Sequence, residues 1–100
     1  MKKLKIVAVC GFGLGSSMLL KMKIDEVLKK HGLNDHIETT DISSAPSVMC
    51  DLIFTSYELG EQLQHRVSVP VVMVKSFLDT SEIEKVGLPA IQAAREKGHT

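Results

Sequence analysis

Apolar residues along this chain gather in four short runs, separated by stretches where they recur at helical spacing. Leu4 to Val9 is almost continuously apolar, as expected of a central parallel strand covered on both faces. From about Ser16 to His31 the pattern changes. Leu20, Ile24, Val27 and Leu28 share one face of a helix, Lys29, Lys30 and His31 occupy its last turn, and Gly32 is a natural stop. His36 to Ile42 is a strand with polar residues on both faces, which a sheet edge allows. Ser43 to Ser47 is a loop by composition.

Asp51 to Thr55 reads as a third strand, apolar enough to be central. A short helix follows around Tyr57 to His65, with Thr55-x-x-Glu58 as its expected capping box and Gly60 as a weak point. Val69 to Lys75 is a fourth strand, and Pro70 assigns it to an edge because proline has no ladder donor. Ser81-x-x-Glu84 reads as a second capping box. Gly87 and Pro89 then predict an interruption, giving a short turn to Val86 and a separate helix from Pro89 to Lys97. Strand alternating with helix implies parallel pairing with right-handed crossovers. Two central and two edge strands fit a four-stranded parallel sheet of order 2-1-3-4, an α/β three-layer arrangement of the flavodoxin-like or Rossmann-like kind. Its ligands are expected beyond the strand carboxyl ends, beside the first strand.

Composition narrows the function. At 100 residues the chain is expected to be one domain, residues 1–100. Twelve Lys and Arg balance twelve Asp and Glu, which argues against a nucleic-acid binder. No apolar run spans a bilayer and no signal-peptide pattern is present, so a cytoplasmic location is expected. Two cysteines in that compartment do not make a disulfide framework. His31, His36, His65 and His99 have no ligand-like spacing with each other or with the cysteines, so no metal site is expected. Cys50 reads as a small buried apolar residue.

The chemistry concentrates in Cys10-Gly11-Phe12-Gly13-Leu14-Gly15-Ser16-Ser17, between the first strand and the first helix. Alternate glycines permit positive φ and close backbone approach. Successive N–H groups in such a turn form an anion nest, and the helix start adds unpaired donors and a positive dipole end. Ser16 and Ser17 add hydroxyls. A thiol beside a helix N-terminus is favoured as thiolate, so Cys10 is a nucleophile aimed into a phosphate cradle. The bland alternative is a Gly-rich turn with an inert cysteine. A dinucleotide site is a further reading, with Asp41 placed for a ribose, but the G-x-G-x-x-G spacing and the second half of such a fold are absent.

Over most of its length the chain resembles the enzyme IIB subunits of the bacterial phosphoenolpyruvate-dependent sugar phosphotransferase system. The likeness is to the ascorbate type, related to the lactose and galactitol types. Cys10 to Ser17, followed by Met18 to Lys23, resembles their phosphocysteine loop, and it continues through Asp51 to Ser56 and Val71 to Lys75. The resemblance implies a phosphoryl carrier without metal or organic cofactor. Its donor would be a phosphohistidine on a cognate IIA protein. Its acceptor would be a sugar bound in a membrane IIC transporter, which would bring the chain to the inner face of the membrane. Cys10 would carry the phosphoryl group and Gly11 to Ser17 would cradle it.

The alternative is a low-molecular-weight phosphatase or arsenate reductase, families that place a similar C-x5-R loop on a similar sheet. Counting from Cys10, the arginine position is held by Ser16. Losing one such oxyanion donor costs about 2.7–4 kcal/mol in the transition state, so this loop is expected to hold phosphate without hastening hydrolysis. Asp79, after the fourth strand, is the one candidate acid, against a plain role as a turn or cap residue. Met18 and Met22 lie off the core face of the first helix. Either they pack against neighbouring loops or they form a soft apolar patch for docking partners.

Overall fold

The computed structural model describes residues 3–11 and 13–97. Four strands, β1 (Lys5–Cys10), β2 (His36–Asp41), β3 (Leu52–Ser56) and β4 (Val71–Val74), form one parallel sheet of order β2-β1-β3-β4. Three helices connect them: α1 (Gly13–Lys30), α2 (Tyr57–Leu63) and α3 (Thr80–Lys97), with a 3-10 turn over Ala45–Ser47. The expected topology is the one observed.

Side chains on a strand alternate between faces, and β1 and β3 are apolar on both. Ile6 and Ala8 of β1 register with Leu52 and Phe54 of β3, and all four join Leu20, Ile24 and Leu28 of α1 and Ile83 and Ile91 of α3 in one core. Val7 and Val9, with Ile53, face the opposite way and meet Leu63 of α2 and Ala45 in a second core. The result is three layers, with α1 and α3 on one face and α2 on the other.

α1 ends as its sequence predicts. Gly32 has φ 69°, the Leu33 N–H donates to the Leu28 carbonyl at 2.8 Å, and the Gly32 N–H donates to Lys29 at 3.1 Å. This is a Schellman closure, which needs a left-handed residue after the helix.

The predicted break at Gly87 and Pro89 is corrected: α3 runs unbroken from Thr80 to Lys97 with Pro89 inside it. An interior proline costs about 3 kcal/mol or more. Burying Ile83 and Ile91, both 1 % exposed, returns about 1.5–3 kcal/mol each, and Val86, Ala90 and Ala94 pack beside them. Gly87 sits where the ring of Phe54 touches the helix backbone, so its missing side chain is a packing requirement and not a stop signal.

Both capping boxes are also corrected. Ser56, not Thr55, caps α2, accepting the Leu59 N–H on Oγ at 3.3 Å. Asp79 stands before α3 and accepts the Glu82 N–H at 3.1 Å. The Glu82 carboxylate turns outward to accept the N–H groups of Lys75 and Ser76, at 2.8 and 3.1 Å. Gly60 is likewise a contact residue: a Cβ there would stand 2.5 Å from Met73 Cγ.

Candidate active site at the end of the first strand

Cys10 is the last residue of β1, at the carboxyl end of the sheet, in register with Asp41 of β2. It is buried, with 8 % of its surface accessible. Gly11 forms an exposed bend, and α1 begins at Gly13. The helix was expected from about Ser16, so Gly13, Leu14, Gly15, Ser16 and Ser17 belong to its first turns and not to a long loop. The first four N–H groups of an α-helix have no intrahelical acceptor. In α1 they therefore begin three residues beyond Cys10 and set the positive end of the dipole on the same side of the sheet. Phe12, and the side chains of Leu14, Ser16 and Ser17, lie outside the described residues.

Among the described residues the only glycine with positive φ is Gly32. Gly13 and Gly15 lie within the first turn of α1. Gly11 has Leu59 of α2 as its neighbour: an added Cβ would lie 3.5 Å from Leu59 Cδ1 and Cδ2, ordinary contact.

Around Cys10 the neighbouring strand ends are pinned by polar contacts. Thr55, fully buried, donates its hydroxyl to the Val9 carbonyl at 2.9 Å. The Asp41 carboxyl is held below the usual range, mainly by a hydrogen bond from the Ser44 side chain, with backbone hydrogen bonds at positions 41, 43 and 44 adding to it. Asp79, the one candidate acid, has an oxygen committed to capping α3. Met18 and Met22 are both exposed, at 46 % and 60 %, so the reading that packs them under loops is set aside.

Cys50 is half-buried and lies just before β3, at the opposite end of the sheet from Cys10. Burial pushes its thiol up, and the Asp51 charge adds to this. Among the described residues no group of three or more His, Cys, Asp and Glu side chains is placed to hold a metal ion, and no helix is long and apolar enough to cross a membrane.

Sequence reasoning missed four functional or structural anchors: the Thr55 hydroxyl, the Leu59 cover over Gly11, the Glu82 clamp on the loop after β4, and the buried Asp35. Asp35 accepts from the Leu4 N–H at 3.0 Å and from Arg95 Nη1 and Nη2 at 3.1 and 2.6 Å, closing the far end of the sheet. No local pattern marks any of them, because each depends on a partner in another element.

A cysteine closing the first strand of a 2-1-3-4 parallel sheet, directly before a Gly-rich helix start, defines a class of small α/β proteins with a thiol beside a helix N-terminus. The family model described as PTS system, Lactose/Cellobiose specific IIB subunit, matches residues 5–87, and the chain belongs to this family. It is thus an enzyme IIB component, a phosphotransferase acting as a phosphoryl carrier in sugar transport, in a system where IIB components work with IIA and IIC partners. The ascorbate-specific PTS system EIIB component of Mycoplasma pneumoniae is 29 % identical over 86 residues, covering 84 % of this chain and 90 % of that protein. The component of the same name from Shigella boydii is 29 % identical over 91 residues, covering 89 % and 90 %. Among solved structures, the lactose-specific IIB component domain from Streptococcus pneumoniae superposes with a TM-score of 0.63 at 19 % identity, covering 95 % of this chain and 97 % of that one, and shares its fold.

Proposed function

We propose that Cys10 is the phosphoryl acceptor and that this chain serves an ascorbate-type transporter. The observation that carries the reading is the position of Cys10, at the carboxyl end of β1 and three residues before α1, inside the span matched by the family model. The ascorbate assignment rests on the names of its relatives.

In the first transfer the Cys10 thiolate attacks phosphorus of a phosphohistidine on a IIA protein. The S–P bond forms, the N–P bond breaks, and the imidazole leaves with the electron pair. In the second, a hydroxyl of the sugar held by the IIC transporter attacks the same phosphorus. The O–P bond forms, the S–P bond breaks, and the thiolate is regenerated. The N–H groups of Gly11 to Ser17 hold the equatorial oxygens in both directions, with the Ser16 and Ser17 hydroxyls assisting. Met18 and Met22, adaptable and exposed on α1, form part of the surface that meets changing partners. The chain works in the cytoplasm, at the inner membrane face when engaged by IIC.

Incubation with phosphoenolpyruvate, the general phosphotransfer proteins and a IIA component of the ascorbate type, followed by peptide mass analysis, locates the phosphoryl group. Cys10→Ser is expected to abolish acceptance with the fold intact, because a serine hydroxyl without an adjacent base is un-ionised near neutrality. Acceptance by this variant at near wild-type rate, or phosphate on another peptide, overturns the assignment.

A further inference from the structure

We propose that Thr55 is a positioning residue for Cys10, acting through the hydrogen bond from its hydroxyl to the Val9 carbonyl. The role in catalysis rests on Cys10 being the phosphoryl acceptor.

The paired register of β1 with β3 runs from Ile6↔Leu52 to Ala8↔Phe54 and stops there, whereas pairing with β2 continues to Cys10↔Asp41. Cys10 therefore pairs with β2, while the Val9 carbonyl points the other way, toward β3. On the β3 side the Thr55 hydroxyl reaches across to Val9 at 2.9 Å, in a place fully closed to solvent. The Val9 carbonyl and the Cys10 nitrogen belong to one planar peptide unit. Fixing that oxygen fixes the tilt of the plane, and with it the direction in which the Cys10 side chain leaves the backbone.

Thr55 is itself locked. Its Cγ2 lies 3.3 Å from where a Cβ on Gly60 would stand, and Met73 closes the same space at 2.5 and 2.8 Å from that point. Gly60 thus lets α2 come down onto the Thr55 methyl. A threonine whose methyl is held against a helix keeps its hydroxyl aimed one way. The chain places this rigid donor one residue before the nucleophile, and a valine of the same shape would fill the space without supplying it.

The test uses the full chain in a Cys50→Ala background, so that Cys10 is the one remaining thiol. The rate of Cys10 alkylation by iodoacetamide is measured across pH for Thr55, Thr55→Val and Thr55→Ser. Misplacing a reacting group by about 1 Å costs up to about 100-fold, so Thr55→Val is expected to slow alkylation about tenfold at pH 7 and to shift the profile, with Thr55→Ser within about twofold of the parent. Thr55→Ala removes the donor without adding atoms and carries the test if circular dichroism shows Thr55→Val unfolded. A Thr55→Val or Thr55→Ala protein that is folded and has the parent's pH profile overturns the proposal, whatever its loss of stability. The two readings separate cleanly. If Thr55→Val alters the Cys10 profile while Cys10→Ser still accepts phosphate, the positioning contact stands and the acceptor assignment falls. If Cys10→Ser is inert and Thr55→Val is unchanged, the reverse holds.

Discussion

A Cβ placed on Gly87 would stand 2.5 Å from Cε2 and 2.6 Å from Cζ of Phe54, the ring at the centre of the α1–α3 face. Phe54 is on the central strand β3 and fully buried, so its ring has nowhere to retreat. Gly87→Ala gains about 1 kcal/mol of helix propensity but forces overpacking that costs about 1–3 kcal/mol. The expected net result is a lower urea midpoint. Gly11→Ala, which meets Leu59 at an ordinary 3.5 Å, is expected to leave that midpoint near the wild-type value. A Gly87→Ala protein as stable as the parent would show that α3 can lift off the ring at no cost.

Arg95 and Asp35 form a two-pronged pair with side chains 12 % and 1 % exposed. Removing one partner of a buried pair leaves the other charge uncompensated, at about 3–5 kcal/mol. Arg95→Met is expected to destabilise by that order in denaturant titration, and Arg95→Lys to recover only part, since an ammonium does not reproduce the fork. Lys29→Ala, which breaks a surface pair with Asp25 at 3.0 Å, should cost less than about 1 kcal/mol. Equal losses for Arg95→Met and Lys29→Ala would contradict the assigned burial.

The Glu84 carboxyl sits below its ordinary value of 4.5, first because the His31 ring hydrogen-bonds to it at 2.6 Å and next because Lys30 does so at 3.1 Å. A carboxyl lowered in the folded state contributes stability that is fully present above its unfolded value and is lost as pH falls through the folded one. This contact ties the end of α1 to α3, so thermal stability is expected to fall as pH drops below about 4.5, with a shallower fall in Glu84→Gln. An unchanged pH slope in Glu84→Gln assigns the acid sensitivity to other carboxylates.

Cys10 and Cys50 are expected to stay unbridged under mild oxidation. The Ile6↔Leu52 register sets Cys50 level with Leu4, and Cys10 lies six residues further along β1. Six residues of parallel strand span roughly 20 Å, whereas a disulfide needs Cα atoms within about 7 Å. Burial also raises the Cys50 thiol, so iodoacetamide should label Cys50 slowly near neutrality. A Cys10–Cys50 peptide recovered from the native protein by non-reducing mapping would contradict the sheet register.

The strand order, the end of α1 at Gly32 and the position of Cys10 at a strand end were all legible in the chain, because each follows from a pattern within a few residues. Continuous apolarity marks Ile6 to Val9 as covered on both faces, and a glycine after a basic last turn marks a helix stop. What the tertiary structure decided has a different character. The hydroxyl of Thr55 meets Val9 across 46 positions, and Arg95 meets Asp35 across 60. Gly87 looked like a break because glycine and proline are poor helix residues locally. It is a helix residue because Phe54 occupies the space of its side chain. The helix starts at Gly13 and not at Ser16, against the local signal of the glycines and serines. Local sequence encodes which residues prefer burial, helix or turn. Which buried residue a glycine must make room for, and which carbonyl a threonine must hold, is set only when the sheet brings distant positions to contact distance.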